Sequence, residues 1–268
     1  MQRFIDGISV YDYGDPGHVP IVFVHGFAFT AAMWDHQVAA LSKDYYCITY
    51  DVRGLGRSEV GDGQYTLEMF VDDLFHIIDA LELDRPIAIG LSMGGYIVLR
   101  AVERRATRFR GLVLCDTKSE ADDNAGRIAR AQAISTVNRD GVRAYAPLLV
   151  SLCFSEDAQE KRPQLYHDAL DQVARQNPQG VKGCVLAMAG RTDTTASLSN
   201  IDLPTLVVVG QNDRISPPAL MRSMQEKIAG CELSVIADAG HMAPLENPVA
   251  VNHALERFLA DRFGRFSS

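Results

Sequence analysis

The stretch IAIGLSMGGYIVLR, residues 87–100, decides the fold. It begins with the short apolar run of a buried strand and continues with the apolar pattern of a buried helix. Between them, Ser92 stands between two glycines in the pattern G-x-S-x-G, residues 90–94. A strand that turns directly into a helix strains its turn residue and leaves no space for neighbouring side chains. The pattern therefore predicts an exposed Ser92 hydroxyl above a sheet, at the N-terminus of a helix.

Similar short apolar runs recur along the chain and alternate with helical patterns. Most of them are continuously apolar, which is typical of strands covered on both faces of a parallel sheet. Between the runs, Thr66 is a suitable N-cap for an amphipathic helix, and Pro248 opens the last helix. The alternation predicts an α/β fold, a mostly parallel central sheet flanked by helices. The candidate strands comprise residues 8–12, 21–24, 46–50, 87–91, 111–115, 205–209 and 233–236.

One long region interrupts this alternation. Residues 119–200 contain no convincing strand, and about 80 residues are too many for a loop in a compact domain. They instead show helical patterns, at 125–137, 141–152, 158–176 and 180–189. We therefore expect a core domain formed by residues 1–118 and 201–268, with an all-helical cap domain, residues 119–200, inserted into it.

A serine hydroxyl becomes a good nucleophile only beside a base, which in turn needs a carboxylate to orient it. His241 follows the candidate strand 233–236, and Asp213 follows the strand 205–209, so both are predicted at the carboxyl edge of the sheet. The order Ser92, Asp213, His241 fits a nucleophile–acid–base set. Asp116, at the end of strand 111–115, and Asp238, close to His241, are the alternative acids.

Acyl transfer also needs two donors for the oxyanion. The backbone N–H of Met93, directly after the serine, is one candidate, and the N–H of Phe27, in the loop after strand 21–24, is the other. Phe29 is expected near the substrate. Trp34 is either a core residue or a wall of the substrate pocket.

Composition narrows the classes of partner. The formal net charge is −8, and no basic stripe is present, which argues against nucleic acid and anionic membranes. No apolar run has the length of a signal peptide core or a membrane helix. Five scattered cysteines without C-x-x-C spacing predict unpaired core thiols and a reducing, cytoplasmic location. No metal or cofactor is implied, and no oligomeric state is predicted.

Taken together, the motifs resemble the α/β-hydrolase fold over essentially the whole chain. The matching stretches are VHGF at 24–27, DVRGLGRS at 51–58, GLSMGG at 90–95, GQND at 210–213 and AGHMAPLENP at 239–248. Within that superfamily, GLSMGG and AMAGRTDTT at 187–195 are most similar to carboxylesterases and 3-oxoadipate enol-lactonases. In such relatives the second stretch often carries Arg-Pro-Asp-Ser. Thr192 and Thr194 replace the proline and the serine here.

The resemblance implies a serine hydrolase that cleaves a small carboxylic ester or lactone through an acyl-enzyme. Enol-lactonase substrates carry a free carboxylate, which Arg191 could bind bidentately; the alternative is that Arg191 pairs with an acidic residue of the cap. A cofactor-free haloperoxidase (perhydrolase) would share the same catalytic residues. A small-molecule sensor of the same fold is the third hypothesis, since fold alone does not determine function.

Overall fold

A computed structural model describes residues 1–264 of the chain. Within that part, eight strands form one sheet, in the order β1-β2-β4-β3-β5-β6-β7-β8. Neighbouring strands from β4 and β3 through to β8 are parallel, whereas β1 and β2 are antiparallel to their neighbours. The strands are β1 (Gln2–Ile5), β2 (Ile8–Tyr13), β3 (Pro20–Val24), β4 (Tyr46–Tyr50), β5 (Ile87–Leu91), β6 (Gly111–Cys115), β7 (Thr205–Gly210) and β8 (Glu232–Ile236).

All seven strands expected from the sequence are present, and the five central ones, β3 to β7, are buried along their whole length. Strand β1 was not expected. It pairs with β2 through a two-residue turn formed by Asp6 and Gly7, which both have positive φ, 43° and 78°. An Asp-Gly pair is a strong hairpin signal, because both central residues of the favoured turn need that left-handed conformation.

Helices cover the sheet and form the inserted cap. Helices α2 and α3 pack against each other, as do α1 and α11. Thr66 caps α2 as predicted, since its hydroxyl accepts a hydrogen bond from the N–H of Met69 at 3.3 Å. The helices are α1 (Asp35–Leu41), α2 (Leu67–Ala80), α3 (Met93–Arg105), α4 (Asn124–Asp140), α5 (Val142–Cys153), α6 (Ala158–Lys161), α7 (Pro163–Ala174), α8 (Pro178–Ala189), α9 (Pro218–Gln225), α10 (Ala243–Glu246) and α11 (Pro248–Phe263).

The cap consists of α4 to α8, which follow β6 and precede β7. Its fold corrects one expectation, a single helix over residues 158–176. That segment is split into α6 and α7 at Arg162, whose φ of −135° is not helical. Pro163 explains the break, because the residue before a proline is driven out of the helical region. Division of the chain into separate core and cap domains at residues 118/119 and 200/201 stays a prediction.

The five cysteines are buried and unpaired, as the sequence predicts. No helix within residues 1–264 is long and apolar enough to cross a membrane.

Candidate active site

Ser92 occupies the turn between β5 and α3 in a strained conformation. Its φ is 53° and its ψ is −113°, which a residue with a side chain rarely adopts. A Cβ atom at Gly94 would lie 2.1 Å from the carbonyl oxygen of Val24, and one at Gly90 would lie 2.4 Å from that of Gly94. Glycine is therefore required on both sides of Ser92, for the reason that the sequence pattern indicated.

Hydrogen bonds to the neighbouring strand hold this turn. The N–H of Ser92 donates to the carbonyl oxygen of Cys115 at 3.0 Å. The hydroxyl of Thr117 donates to the carbonyl oxygen of Ser92 at 2.8 Å. These bonds use the backbone of Ser92 and leave its hydroxyl free to face the cavity described below.

His241 and Asp213 form a buried pair. The Nδ1 atom of His241 lies 2.9 Å from Oδ2 of Asp213, and both side chains are almost inaccessible to solvent. A carboxylate accepts from N–H, so Nδ1 carries the proton and donates to Asp213. Nε2 is then left unprotonated and able to accept a proton.

Asp213 is ionised because several donors surround it. Burial alone would raise its pKa, but the charge of His241 and hydrogen bonds from His241 and Ser216 outweigh that effect and lower the pKa to about 2. One oxygen accepts from the N–H groups of Ile215 and Ser216 at 2.8 and 3.0 Å. The carboxylate therefore stays negative and fixed in direction at neutral pH.

Ser216 is a residue of the site that the sequence analysis missed. Its hydroxyl donates to Oδ2 of Asp213 at 2.6 Å and lies 3.3 Å from Nδ1 of His241. The signal was present in the sequence, since a serine three residues after an aspartate often shares a turn with it.

The loop after β3 places Phe27 at the cavity. Ala28 in this loop has a left-handed φ of 62°, and the N–H of Phe29 closes the turn on the carbonyl oxygen of Gly26 at 3.2 Å. No backbone hydrogen bond among residues 1–264 uses the N–H of Phe27. The N–H of Met93 is also free of helical bonding, because it belongs to the first residue of α3.

His25 supports the same loop. Its Nδ1–H donates to the carbonyl oxygen of Gly26 at 2.8 Å, and its Nε2 accepts from the N–H of Val52 at 2.8 Å. Burial lowers the pKa of His25 despite the opposing charge of Asp51, so its imidazole is neutral. Because both ring nitrogens are occupied, His25 has a structural role.

Ser92 and His241 line one cavity of about 720 Å³ between the sheet and the cap. Phe27 and Phe29 line it on the core side. Apolar side chains from the cap form another wall, among them Tyr145, Leu148, Leu149 and Leu152 from α5. The volume is in the range of small-molecule sites.

A group of charged side chains forms the remaining wall. Lys118, Asp122 and Arg130 line the cavity. The Asp122 carboxylate lies 3.0 Å from Nε of Arg130, 3.8 Å from Nζ of Lys118 and 2.9 Å from Nη1 of Arg191. Burial opposes ionisation of Asp122, but the charges of Arg130 and Arg191 lower its pKa. Three cations thus share one carboxylate.

Arg191 itself does not line the cavity, so of the two roles considered for it the structure does not support contact with substrate. Its side chain is 1% exposed, its guanidinium donates to the carbonyl oxygens of Met188 and Glu120, and it lies 4.2 Å from the centre of the Tyr96 ring. With its ion pair to Asp122, these contacts engage both terminal nitrogens of the guanidinium, whereas Nε has no hydrogen-bond partner within the described residues. The alternative, pairing with an acidic residue of the cap, describes the structure.

Trp34 is likewise absent from the cavity wall. Its side chain is fully buried, and its ring packs 5.3 Å from that of Phe23 on β3. Of the two roles considered for Trp34, core residue and wall of the substrate pocket, the structure shows core packing. Phe29, by contrast, is a cavity residue.

The two alternative acids lie in different environments. Asp238 is exposed and follows the end of β8. Asp116 is fully buried, and one of its oxygens lies within 4.8 Å of Asp213 and of a ring nitrogen of His241. Neither is hydrogen-bonded to His241, whereas Asp213 is.

Relatives of known name match nearly the whole chain. The chain is 29% identical over 241 residues to 3-oxoadipate enol-lactonase 1 of Acinetobacter baylyi, covering 90% of this chain and 88% of the relative. It is 30% identical to the non-heme chloroperoxidase CPO-A1 of Kitasatospora aureofaciens over 88% of this chain and 90% of the relative. Among solved structures, a thermophilic esterase from Thermogutta terrifontis superposes with a TM-score of 0.91, at 33% identity, over 95% of this chain and 93% of the esterase.

A family assignment follows from the sequence as well as from the sheet order. Residues 19–248 match the alpha/beta hydrolase fold family, from the beginning of β3 to the beginning of α11. This range includes Ser92, Asp213 and His241. The chain belongs to the alpha/beta hydrolase fold family.

Proposed function

We propose that this protein is a serine hydrolase that cleaves small carboxylic esters or lactones through an acyl-enzyme. The observation that carries the proposal is the pair formed by His241 and Asp213, 2.9 Å apart, at a cavity that Ser92 also lines from a strained turn. A buried base with its tautomer set by a carboxylate, lining the same cavity as a serine, is an arrangement that can activate that serine.

The proposed reaction has two halves. Nε2 of His241 takes the proton of the Ser92 hydroxyl as the oxygen attacks the carbonyl carbon, and the protonated imidazole then gives that proton to the leaving alkoxide. Asp213 holds the imidazolium that forms in between. A water molecule, activated by the same imidazole, then attacks the acyl-enzyme and releases the acid. The mechanism requires no metal or cofactor.

The N–H groups of Phe27 and Met93 are proposed to stabilise the oxyanion. Met93 begins α3, where the helix dipole favours negative charge. Phe27 lines the cavity from the opposite loop, with its N–H free of backbone hydrogen bonds within the described residues. Each such donor contributes about 3 kcal/mol of transition-state stabilisation in well-studied hydrolases.

An ester or lactone is favoured as substrate by the relatives and by the cavity. The enol-lactonase relative acts on a lactone, as its name states, and the superposed esterase was solved with malate bound. The cavity here combines an apolar wall from α5 with the cationic side chains of Lys118 and Arg130. Such a site suits a small acyl compound that has an apolar part and an anionic part.

The test is hydrolysis of p-nitrophenyl acetate by wild type and by Ser92→Ala. We expect kcat/KM to fall by roughly a thousandfold or more in the variant, because the nucleophile is lost. Ser151→Ala, an exposed serine of α5, is the matched control and should keep wild-type kinetics. Retention of activity by a folded Ser92→Ala protein would contradict the mechanism.

A perhydrolase is the second candidate, favoured by the 30% identity to a chloroperoxidase. Hydrogen peroxide would then replace water in attacking the acyl-enzyme, which yields a peracid and frees Ser92. Bromination of monochlorodimedone in acetate buffer, dependent on peroxide and abolished by Ser92→Ala, would support it. If the rate of ester hydrolysis exceeds the rate of peracid formation at the same substrate concentration, the esterase function is favoured.

A further inference from the structure

Asp116 is a buried carboxyl group for which the proposed reaction has no use. It follows β6, its side chain is inaccessible to solvent, and its backbone has a left-handed φ of 44°. Left-handed backbone at a residue with a side chain is a cost that the surrounding structure must outweigh. The backbone N–H of Asp116 donates to the carbonyl oxygen of Val208 at 2.9 Å, which fixes the turn against β7.

Only one of the two oxygens of this carboxyl group accepts a hydrogen bond. Oδ1 accepts from the N–H of Gly210 at 2.7 Å, and Oδ2 has no hydrogen-bond partner within the described residues. An ionised carboxylate buried in this way, with one neutral donor, would lack compensation for its charge. A protonated carboxyl is less costly to bury, and it also gains a donor on Oδ2.

The carboxyl group that lies close to Asp116 is the anion Asp213. An oxygen of Asp116, an oxygen of Asp213 and a ring nitrogen of His241 lie within 4.8 Å of one another. Of the two carboxyl groups, Asp213 accepts several hydrogen bonds, so the negative charge is stabilised on Asp213. Two carboxyl groups this close hold one negative charge between them more easily than two.

We infer that Asp116 is protonated at neutral pH and donates a hydrogen bond from Oδ2 to the carboxylate of Asp213, which makes it a positioning residue for the Asp213–His241 pair. The role rests on the proposed function. Asp116 never contacts substrate in this account; it acts through Asp213.

The charged and titratable surroundings agree with a neutral Asp116. Burial, followed by the negative charge of Asp213, raises its pKa well above the ordinary value, and Glu246 from α10 adds to the effect. His241 reaches it from the loop after β8, and the thiol of Cys115 precedes it on β6. His241, when protonated, is a cation within this cluster, and Asp213 neutralises it directly.

The kinetic test compares Asp116→Ala and Asp116→Asn with wild type over the acidic part of the pH profile of kcat/KM for p-nitrophenyl acetate. Alanine removes the donor, so we expect kcat to fall about tenfold with KM unchanged. Asparagine keeps a donor for Asp213 and an acceptor for Gly210, so it should recover most of the lost rate. Its acidic limb should coincide with that of wild type, because no charge has been removed.

An ionised Asp116 would give a different and equally specific result. If Asp116 were ionised, Asp116→Asn would remove a negative charge next to His241, and the acidic limb would move to lower pH by about one unit or more. That shift, or an alanine variant with wild-type kcat, would overturn the inference.

A spectroscopic measurement separates this inference from the proposed reaction. The infrared difference spectrum between wild type and Asp116→Asn at neutral pH should show the carbonyl stretch of a protonated carboxylic acid in wild type alone. This band does not depend on turnover, so it would be present even if no ester were hydrolysed. A carboxylate band in its place would refute a neutral Asp116.

Discussion

At the residue scale, the hydrogen bonds of Asp213 determine how the site responds to acid. Besides the donor inferred on Asp116, four donors act on this carboxylate: the N–H groups of Ile215 and Ser216, the hydroxyl of Ser216 and Nδ1 of His241. They hold its pKa at about 2, below the ordinary 3.8, against the effect of burial. The ionised form therefore stabilises the folded protein, and protonation removes that stabilisation.

The consequence is a pH-dependent stability with a definite sign. The contribution of Asp213, about 2 kcal/mol, is complete above about pH 4 and is lost as the pH falls towards 2. Urea unfolding of wild type and Asp213→Asn between about pH 6 and pH 2 measures it. The difference in unfolding free energy between the two proteins should shrink by about that amount at low pH. A difference that stays constant with pH would contradict the assignment.

At the element scale, Arg191 joins the beginning of the cap to its end. It follows α8, and its partner Asp122 precedes α4. It also lies over the ring of Tyr96 on α3, so it links the cap to the core. Asp122 would keep Arg130 and Lys118 if Arg191 were removed, but the carbonyl oxygens of Met188 and Glu120 would lose the buried donor that Arg191 supplies.

We therefore expect Arg191→Met to lower the unfolding free energy by roughly 2–3 kcal/mol, the cost of leaving buried acceptors without their donor. Urea denaturation measures this, with Arg175→Met as the control, because the pair of Arg175 with Asp171 is largely exposed. The control should unfold almost as wild type does. If Arg191 instead bound substrate, Arg191→Met would raise KM and leave stability nearly unchanged.

Elements that depend on local pattern could be predicted from the sequence. The central strands are continuous apolar runs, and the glycines beside Ser92 indicate the turn directly. Strand β1 was missed because it is short and half exposed, although the Asp-Gly pair at residues 6–7 indicates a hairpin there. The helix break at Pro163 was missed although the proline marks it, since the residue before a proline avoids the helical region.

Contacts between distant residues could not be predicted in the same way. Lys118 and Arg130 meet at Asp122 only because the loop after β6 and helix α4 fold towards each other. Two roles are open for Arg191 at the level of sequence, because the sequence shows a guanidinium near the end of the cap but not its partner. The sequence also leaves two roles open for Trp34, since its burial against Phe23 depends on how the segment before α1 packs on β3.

At the scale of the whole molecule, the cavity lies between two parts of different chemistry. The core supplies Ser92 and His241, and the cap supplies the apolar wall of α5 and the side chain of Arg130. Lys118 and Arg130 are each about one quarter exposed and share Asp122 with Arg191. The excess of positive charge at this wall favours a substrate with an anionic group.

Two substrates of matched length test this preference. The two esters are monomethyl glutarate and methyl pentanoate, which differ only in that the first ends in a carboxylate and the second in a methyl group. Their hydrolysis is followed in a pH-stat. Lys118→Met should lower kcat/KM for monomethyl glutarate about tenfold and leave methyl pentanoate nearly unaffected, because one charge-assisted contact is lost. Equal losses for both esters would show that Lys118 has no part in charge selection.

The central claim is that Ser92 is the nucleophile, and covalent trapping tests it most directly. Wild-type protein is treated with phenylmethylsulfonyl fluoride, digested and analysed by mass spectrometry while esterase activity is followed in parallel. We predict one sulfonyl adduct, on Ser92, whose extent rises in proportion to the loss of activity. Loss of activity with the adduct on another residue, or full modification of Ser92 with activity retained, would contradict the account.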